Sequence, residues 1–234
     1  MADHDEKLGW KVHRHLMEKG LETPMTSILK PDFQGRSEQE RIKNIEFHMK
    51  AIIEELGLDL QDDSLIETPK RIAKMWVKEM FEGLDYKKFP KCTMVENKWH
   101  EGHSDMVIEK NIQLVSACEH HFLPVLGTGQ AYAGVTVAYI PGRYVLGLSK
   151  INRVVNFFAK RPQLQERLTY QILEGLSCVI GSPDVAVFVE GQHLCVSTRG
   201  PQDPSSSTVT TAFGGRFLSE PALKEEFLKV ARGP

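Results

Sequence analysis

Cys118-Glu119-His120-His121 places a thiol, a carboxylate and two imidazoles at four consecutive positions. Far downstream, His193-Leu194-Cys195 adds a third imidazole and a second thiol. The Cys118-x-x-His121 spacing lets two side chains from one tight turn reach the same cation, as in the halves of known zinc sites. His120 points elsewhere, because neighbouring side chains diverge. A third ligand must come from a distance, and Cys195 is the best candidate. Cys118, His121 and Cys195 are therefore expected to close around one zinc ion, with His120 and His193 beside it as proton carriers. Three protein ligands leave the fourth tetrahedral position for water, the catalytic arrangement. Such a water is acidified toward neutrality and becomes a nucleophile. The plain alternative makes the cysteines small core hydrophobes and the histidines satisfied surface residues, and it must account for both segments at once.

Composition sets the bounds. In 234 residues, 41% are hydrophobic and 26% charged, which is ordinary for a globular chain long enough for one large domain or a domain with a helical extension. A net charge of -2 argues against a general nucleic-acid or membrane-surface role, though a local basic pocket is allowed. Four cysteines are too few for a disulfide scaffold. Cys178 falls in an apolar helical pattern and reads as packing, while Cys92 carries no signal. The segment Met1 to Lys7 has no apolar core and does not read as a signal peptide. No apolar run is long enough to span a bilayer. The expected location is the cytoplasm, whose reducing conditions suit thiolate ligands.

The elements that must position these groups are read from periodicity. Residues 1–36, with Gly20, Pro24, Pro31 and Gly35, read as a peripheral arm with a short helix near Trp10 to Met17, an arm of the kind that packs on a neighbouring subunit or stays mobile. Ser37 and Glu40 form a capping box ahead of Ile42, Ile45, Met49, Ile52, Ile53 and Leu56, and Gly57 ends that helix. Thr68-Pro69 reads as the cap and first residue of a second helix with a stripe of Ile72, Met75, Trp76 and Met80, closed by Gly83. Arg71 and Lys74 share one of its faces, where a solvated basic surface is the simpler reading.

From Met106 the period becomes two. Val107-Ile108 and Ile112 to Leu114 read as strands around a turn at Lys110-Asn111, leading into Cys118. Residues 123–130 read as a loop or hairpin tip, and Tyr132 to Ile140 as a strand before a Pro141-Gly142 turn. Ser149 reads as the N-cap of a helix to Ala159, whose free amides with Lys150 and Arg153 would make an anion site. A helix is expected from Pro162, with Leu164, Leu168, Ile172, Leu176 and Val179 inward and Gln165 and Glu166 in its first turn, where acids are common for dipole reasons alone. Asp184 to Glu190 reads as a strand with a hairpin partner from His193 to Thr198. A last strand, Thr208 to Phe213, and a terminal helix, Pro221 to Val230, follow. Helices followed by an antiparallel sheet give the α+β class. The expected division is an arm (1–36), a helical region (37–104) and a catalytic domain (105–234), with 37–234 forming one structural unit.

Several segments together resemble the GTP cyclohydrolase I family over residues 40–231. They are Glu67-Thr-Pro-Lys-Arg-Ile-Ala-Lys-Met75, Cys118-Glu-His-His-Phe122, Gly147-Leu-Ser-Lys-Ile-Asn-Arg153, Arg161-Pro-Gln-Leu-Gln-Glu-Arg167, His193-Leu-Cys195 and Arg199-Gly200. Any one alone is weak, but their shared order is specific. The resemblance implies the tunnelling fold, an antiparallel sheet with helices on one face that joins sheets of other subunits into a barrel. It implies a homodecamer of two pentamers with interfacial active sites, and one zinc per subunit on Cys118, His121 and Cys195. The implied reaction takes GTP and water to 7,8-dihydroneopterin triphosphate and formate, the entry to folate and other pterins.

In that reaction His193 would protonate the opening imidazole ring near N7 and His120 would assist later proton transfers. Glu166, with Gln165 alongside, would accept the guanine N–H pair that adenine lacks. Ser149, Lys150, Arg153 and Arg199 would hold the triphosphate, joined by Arg71 and Lys74.

Two departures stand out: a connection from Phe122 to the strand at Thr136 that reads as longer than in bacterial members, and Ser197 and Thr198 where many members carry basic or bulky residues. Residues 1–36 lie outside the resemblance. Two other tunnelling-fold enzymes fit less well. The deazaguanine nitrile reductase uses a cysteine nucleophile and a nicotinamide, and the pterin synthases use three histidines. A non-enzymatic, zinc-stabilised nucleotide binder would bind GTP without releasing formate.

Overall fold

The structure is a computed structural model that describes residues 4–24, 36–98 and 105–233. The parts of the arm expectation that fall on residues 1–3 and 25–35 lie outside the described residues. The chain divides into two compact units, one made of Met1–Thr23 with Gly83–Pro234 and the other of Pro24–Glu82. By contacts, the larger unit starts at Gly83 and includes the N-terminal helix, a different division from the expected boundary at residue 104 and unit over 37–234.

In the Pro24–Glu82 unit, helix α2 (Glu38–Glu55) begins with both hydrogen bonds of the Ser37/Glu40 capping box. Gly57, at φ +77°, takes the left-handed turn that ends it. Helix α3 (Thr68–Met75) is capped by the backbone of Glu67, so Thr68 is its first residue and not its cap. It runs on as a π turn over Trp76–Met80. The face it buries is Ala73 and Val77, against Ile42 with Ile45 alongside, which is offset by one residue from the expected Ile72/Trp76 stripe.

In the larger unit, helix α1 (Glu6–Glu18) is longer than the expected Trp10 to Met17, because Asp5 caps it by accepting from the Leu8 amide. Gly9 lies against Tyr86, and a Cβ there would meet the Tyr86 carbonyl oxygen at 2.2 Å. A small sheet pairs β1 (Met94–Glu96) with Tyr144–Leu146, β6 in chain order.

The main sheet contains β2 (Val107–Gln113), β3 (Val115–Cys118), β4 (Pro124–Gly127), β5 (Ala133–Tyr139), β7 (Pro162–Gln163), β8 (Val185–His193) and β9 (Thr208–Phe213). Their order is β2-β5-β8-β4-β3-β7, with β9 also on β8. All pairs are antiparallel except β3 with β7. Between β6 and β7 lies helix α4 (Leu148–Ala159), and between β7 and β8 helix α5 (Gln165–Ile180). The chain then adds short helices α6 (Leu194–Ser197) and α7 (Arg216–Ser219) and helix α8 (Pro221–Arg232).

Four expectations change here. Lys110-Asn111 is not a turn between strands: β2 runs through it as a bulge, with Asn111 at φ +58°. Residues 123–130 are not a loop: four of them form β4, paired on both sides. Pro162 does not begin a helix, since β7 intervenes and α5 starts at Gln165. The stretch after His193 is a helical turn and not a hairpin strand.

Along β8, Ala186 and Phe188 pack with Phe217 and Phe227 of α7 and α8. Val185, Val187 and Val189 alternate to the other face and are fully buried as well. Both faces of β8 are therefore buried, where the sequence implied helices on one face of the sheet. Among the described residues, no helix is long and apolar enough to cross a membrane.

A buried ion pair holds α1 and its following turn to the sheet. Arg161, with no exposed surface, donates to Glu22 at 3.0 Å. Its guanidinium lies 4.8–4.9 Å from the ring centres of Tyr86, Phe157 and Phe158. Glu22 also accepts from the Tyr86 hydroxyl at 2.5 Å and from His13 Nδ1 at 2.7 Å. Burial works to raise the Glu22 carboxyl, but the His13, Arg161, Tyr86 and Thr23 contacts outweigh it and hold it below the usual value of 4.5.

A carboxyl lowered in the folded state stabilises fully above its unfolded pKa, and that contribution is lost as pH falls through the folded value. Glu22→Ala should cost about 3–5 kcal/mol at neutral pH, because the Arg161 charge is left buried without a partner. In urea melts, the gap between Glu22→Gln and the parent should narrow as pH drops below about 4.

Candidate active site

Two strand ends meet across β4. Pro124 pairs with Ala117 on one side of it, and Val125 pairs with His193 on the other. That register sets the last residue of β3, Cys118, beside the last residue of β8, His193, and the turn that carries Cys195. One ligand atom each from Cys118, His193 and Cys195 lies within 4.8 Å of the others. Both cysteines are buried and free. Two soft thiols and an imidazole, brought this close, form a donor set that suits zinc.

The turn after Cys118 is closed by its own backbone. Phe122 N–H donates to the Cys118 carbonyl and Cys118 N–H to the Leu123 carbonyl, both at 2.8 Å. Phe122 sits at φ +55°, an unfavourable conformation for a large residue that the paired flanking strands enforce. Glu119 N–H donates to the Gln163 carbonyl at 3.0 Å, and the Glu119 carboxylate takes a hydrogen bond from Arg167.

The imidazoles are placed differently from the expectation. His121, expected as a ligand, turns outward, and its Nε2 accepts from Arg199 Nη1 at 2.8 Å. His193, expected beside the metal, lies among the donors. His120 Nδ1 is 3.7 Å from Cys118 Sγ.

The tautomer of His193 is settled by Gln165. The Gln165 amide nitrogen points at the Val189 and Thr208 carbonyls and the Thr210 hydroxyl, so its carbonyl oxygen faces His193. His193 Nε2–H donates to that oxygen at 2.9 Å, which leaves Nδ1 with the lone pair. Burial lowers the His193 pKa, and the nearby Glu166 carboxylate only partly opposes it. The Cys195 thiol is pushed up by burial and then by the adjacent Cys118, against a smaller pull from Arg199. A bound dication would reverse that balance in favour of thiolates.

Glu166 is exposed at the start of α5, while Gln165 is buried with its amide fully engaged. The Gly147 backbone, not Ser149, caps α4, and Ser149 is exposed in the first turn. Arg153 lines a cavity of about 400 Å³ with Glu109, Lys110, Gln113, Asn152 and Asn156, a lining that includes none of the thiols or histidines of the site. Arg71 and Lys74 are exposed on α3 of the other unit.

Sequence reasoning missed Gln163, Arg167 and Gln171. Gln171 is the one that carried a signal: it is a polar residue three positions after Leu168, on the stripe that α5 buries.

These features define a class: an α+β protein with an antiparallel-rich sheet, whose strand ends hold two thiols and an imidazole able to bind a metal ion. The chain belongs to the GTP cyclohydrolase I family, whose sequence profile matches residues 45–232. It is 50% identical over 222 residues to GTP cyclohydrolase 1 of Shewanella amazonensis, covering 95% of this chain and 96% of the relative. It is 50% identical over 218 residues to the protein of that name from Shewanella loihica, covering 93% and 95%. Against the one from Shewanella sp. strain ANA-3 the identity is 49% over 223 residues.

In metal-free protein, His193 should titrate with a midpoint below 6.5, and the His121 ring resonances should move in Arg199→Ala, which removes their hydrogen-bond donor. Both are readable by imidazole NMR, and a His193 midpoint at or above 6.5 would contradict the burial argument.

Proposed function

We propose that this chain is a zinc-dependent GTP cyclohydrolase, opening the guanine imidazole ring of GTP, releasing formate and yielding 7,8-dihydroneopterin triphosphate. The observation that carries the reading is the meeting of the Cys118 and Cys195 thiols with His193 within 4.8 Å, in a chain of this family. Cys118, Cys195 and one histidine would hold the zinc, which when bound makes a water acidic enough to act as a nucleophile near neutral pH.

We assign the third ligand to His121. Its Nε2 lone pair already faces a cation, the Arg199 guanidinium, and Arg199 is also a candidate for the triphosphate. Recruiting Arg199 to phosphate would free that lone pair. His193 is then the proton carrier. Burial favours its neutral form, and Gln165 orients it. It can take a proton and deliver it to N7 as the ring opens. His120, beside Cys118, would serve the later transfers.

Glu166 supplies an exposed carboxylate close enough to influence His193, suited to the two N–H donors on the guanine edge. Gln165 serves by holding His193, since its amide has no free donor for a base. Ser149, Lys150 and Arg153, with Arg71 and Lys74, would hold the triphosphate. We propose that a second copy presents them, in a homodecamer built by joining sheets in the tunnelling fold. The reaction would feed folate or other pterins from a cytoplasmic location.

Purified protein with GTP should release formate and fluorescent pterin in equal amounts, and a chelator should stop both. Cys195→Ser and His121→Ala should lose bound zinc. His193→Ala should keep zinc and GTP but lose at least about a hundredfold in ring opening. Loss of zinc in His193→Ala with retention in His121→Ala would reverse the ligand assignment. GTP binding with no formate from the zinc-loaded parent would leave a nucleotide binder.

A further inference from the structure

We infer that Leu21–Thr23 is an internal brace that positions the Cys118–Glu119 turn, through two buried glutamines that hand its hydrogen bonds on to the site. The inference rests on the metal reading above for its metal-binding readout. The segment lies outside the 45–232 family match, and its connection to the site is entirely polar.

The Gln171 amide nitrogen donates to the Leu21 carbonyl at 2.8 Å and to Thr23 Oγ1 at 3.2 Å. Its carbonyl oxygen accepts from Gln163 Nε2 at 2.7 Å. Gln163 gives its other hydrogen to the Phe158 carbonyl at 2.8 Å, and its oxygen accepts from Arg167 Nε at 3.4 Å. Arg167 then reaches the Glu119 carboxylate. Gln163 is 2% exposed and Gln171 is fully buried, so water cannot replace a lost partner. Each broken link leaves an unsatisfied amide.

Gln163 also acts through its backbone. It sits opposite Cys118 in the parallel pairing of β3 with β7, and its carbonyl holds the Glu119 amide. Arg161, two residues earlier and so on the same side of the extended chain, ties to Glu22 and to Thr23 Oγ1. Arg161 and Gln163 thus fix β7 from behind, while its front edge carries the cysteine turn. A two-residue strand has too few ladder bonds of its own to hold a register. The brace supplies what the ladder lacks.

The test compares Thr23→Val and Gln171→Met with Glu174→Gln. The control loosens the same α1–α5 contact through His15, which Glu174 accepts from at 2.7 Å, but touches neither glutamine. Cobalt is the metal probe, read by its thiolate absorption and by competition with a chelator. Amide exchange at Glu119 is read separately on metal-free protein.

Thr23→Val and Gln171→Met should weaken cobalt binding about tenfold, shift the absorption and speed Glu119 exchange. Glu174→Gln should do none of these at a comparable loss of Tm, and Thr23→Ser should restore parent behaviour. Parent-like cobalt affinity and Glu119 exchange in the folded variants would overturn the brace. So would an equal effect of Glu174→Gln. If Gln171→Met does not fold, Thr23→Val, which exchanges a hydroxyl for a methyl, carries the test. If the parent itself binds no cobalt, the metal reading fails, and Glu119 exchange alone decides the brace.

Discussion

The register of β4 is the constraint on which the site depends. Four residues, Pro124–Gly127, lie between β3 and β8 and pair with both. With Ala117 opposite Pro124 and His193 opposite Val125, two segments far apart in the chain end side by side. A slip of one residue would turn every side chain of the moved strand to the other face and separate the donors. Val125 is buried at this junction and helps hold the register in place.

Around that junction the structure places polar groups where the core should be apolar, and gives the three glutamine amides hydrogen-bond partners and the arginine a counter-charge. Arg161, Gln163, Gln165 and Gln171 are each nearly or fully buried. Gln165 fixes the His193 tautomer, Gln163 and Gln171 tie the cysteine turn to the N-terminal segment, and Arg161 is sandwiched among aromatic rings with Glu22 as its counter-charge. Such networks cost desolvation but allow few alternative arrangements, which suits a site that must hold its donors apart without letting them drift. The thiols illustrate the need. Buried beside Cys118, the Cys195 thiol favours the protonated form until a cation is present.

Much of the local structure was legible because it depends on short-range chemistry. The Ser37/Glu40 box, the left-handed Gly57, the strand through Val185 to Val189 and the terminal helix after Pro221 follow from caps and periodicity. The misreadings share a cause. β4 contains Pro and Gly and is only four residues long, and β7 has two residues, so neither shows a period. Their existence is decided by the partners that flank them. Lys110-Asn111 carries turn residues, yet β5 pairs across them and turns the break into a bulge. Residues 1–36 read as peripheral because Glu22 and Thr23 give no sign that a buried arginine and glutamine await them.

The sequence by itself determined the kind of chemistry: thiols and imidazoles at ligand spacing, a carboxylate at a helix start, and basic side chains suited to phosphate. Those are properties of residue types and short spacings, and they hold in any surroundings. The tertiary structure alone decided which imidazole stands among the thiols, which glutamine is tied up in support, and which residues two separate compact units keep to themselves. These depend on strand register and burial, and both arise from cooperative pairing between segments that carry no record of each other in their local pattern.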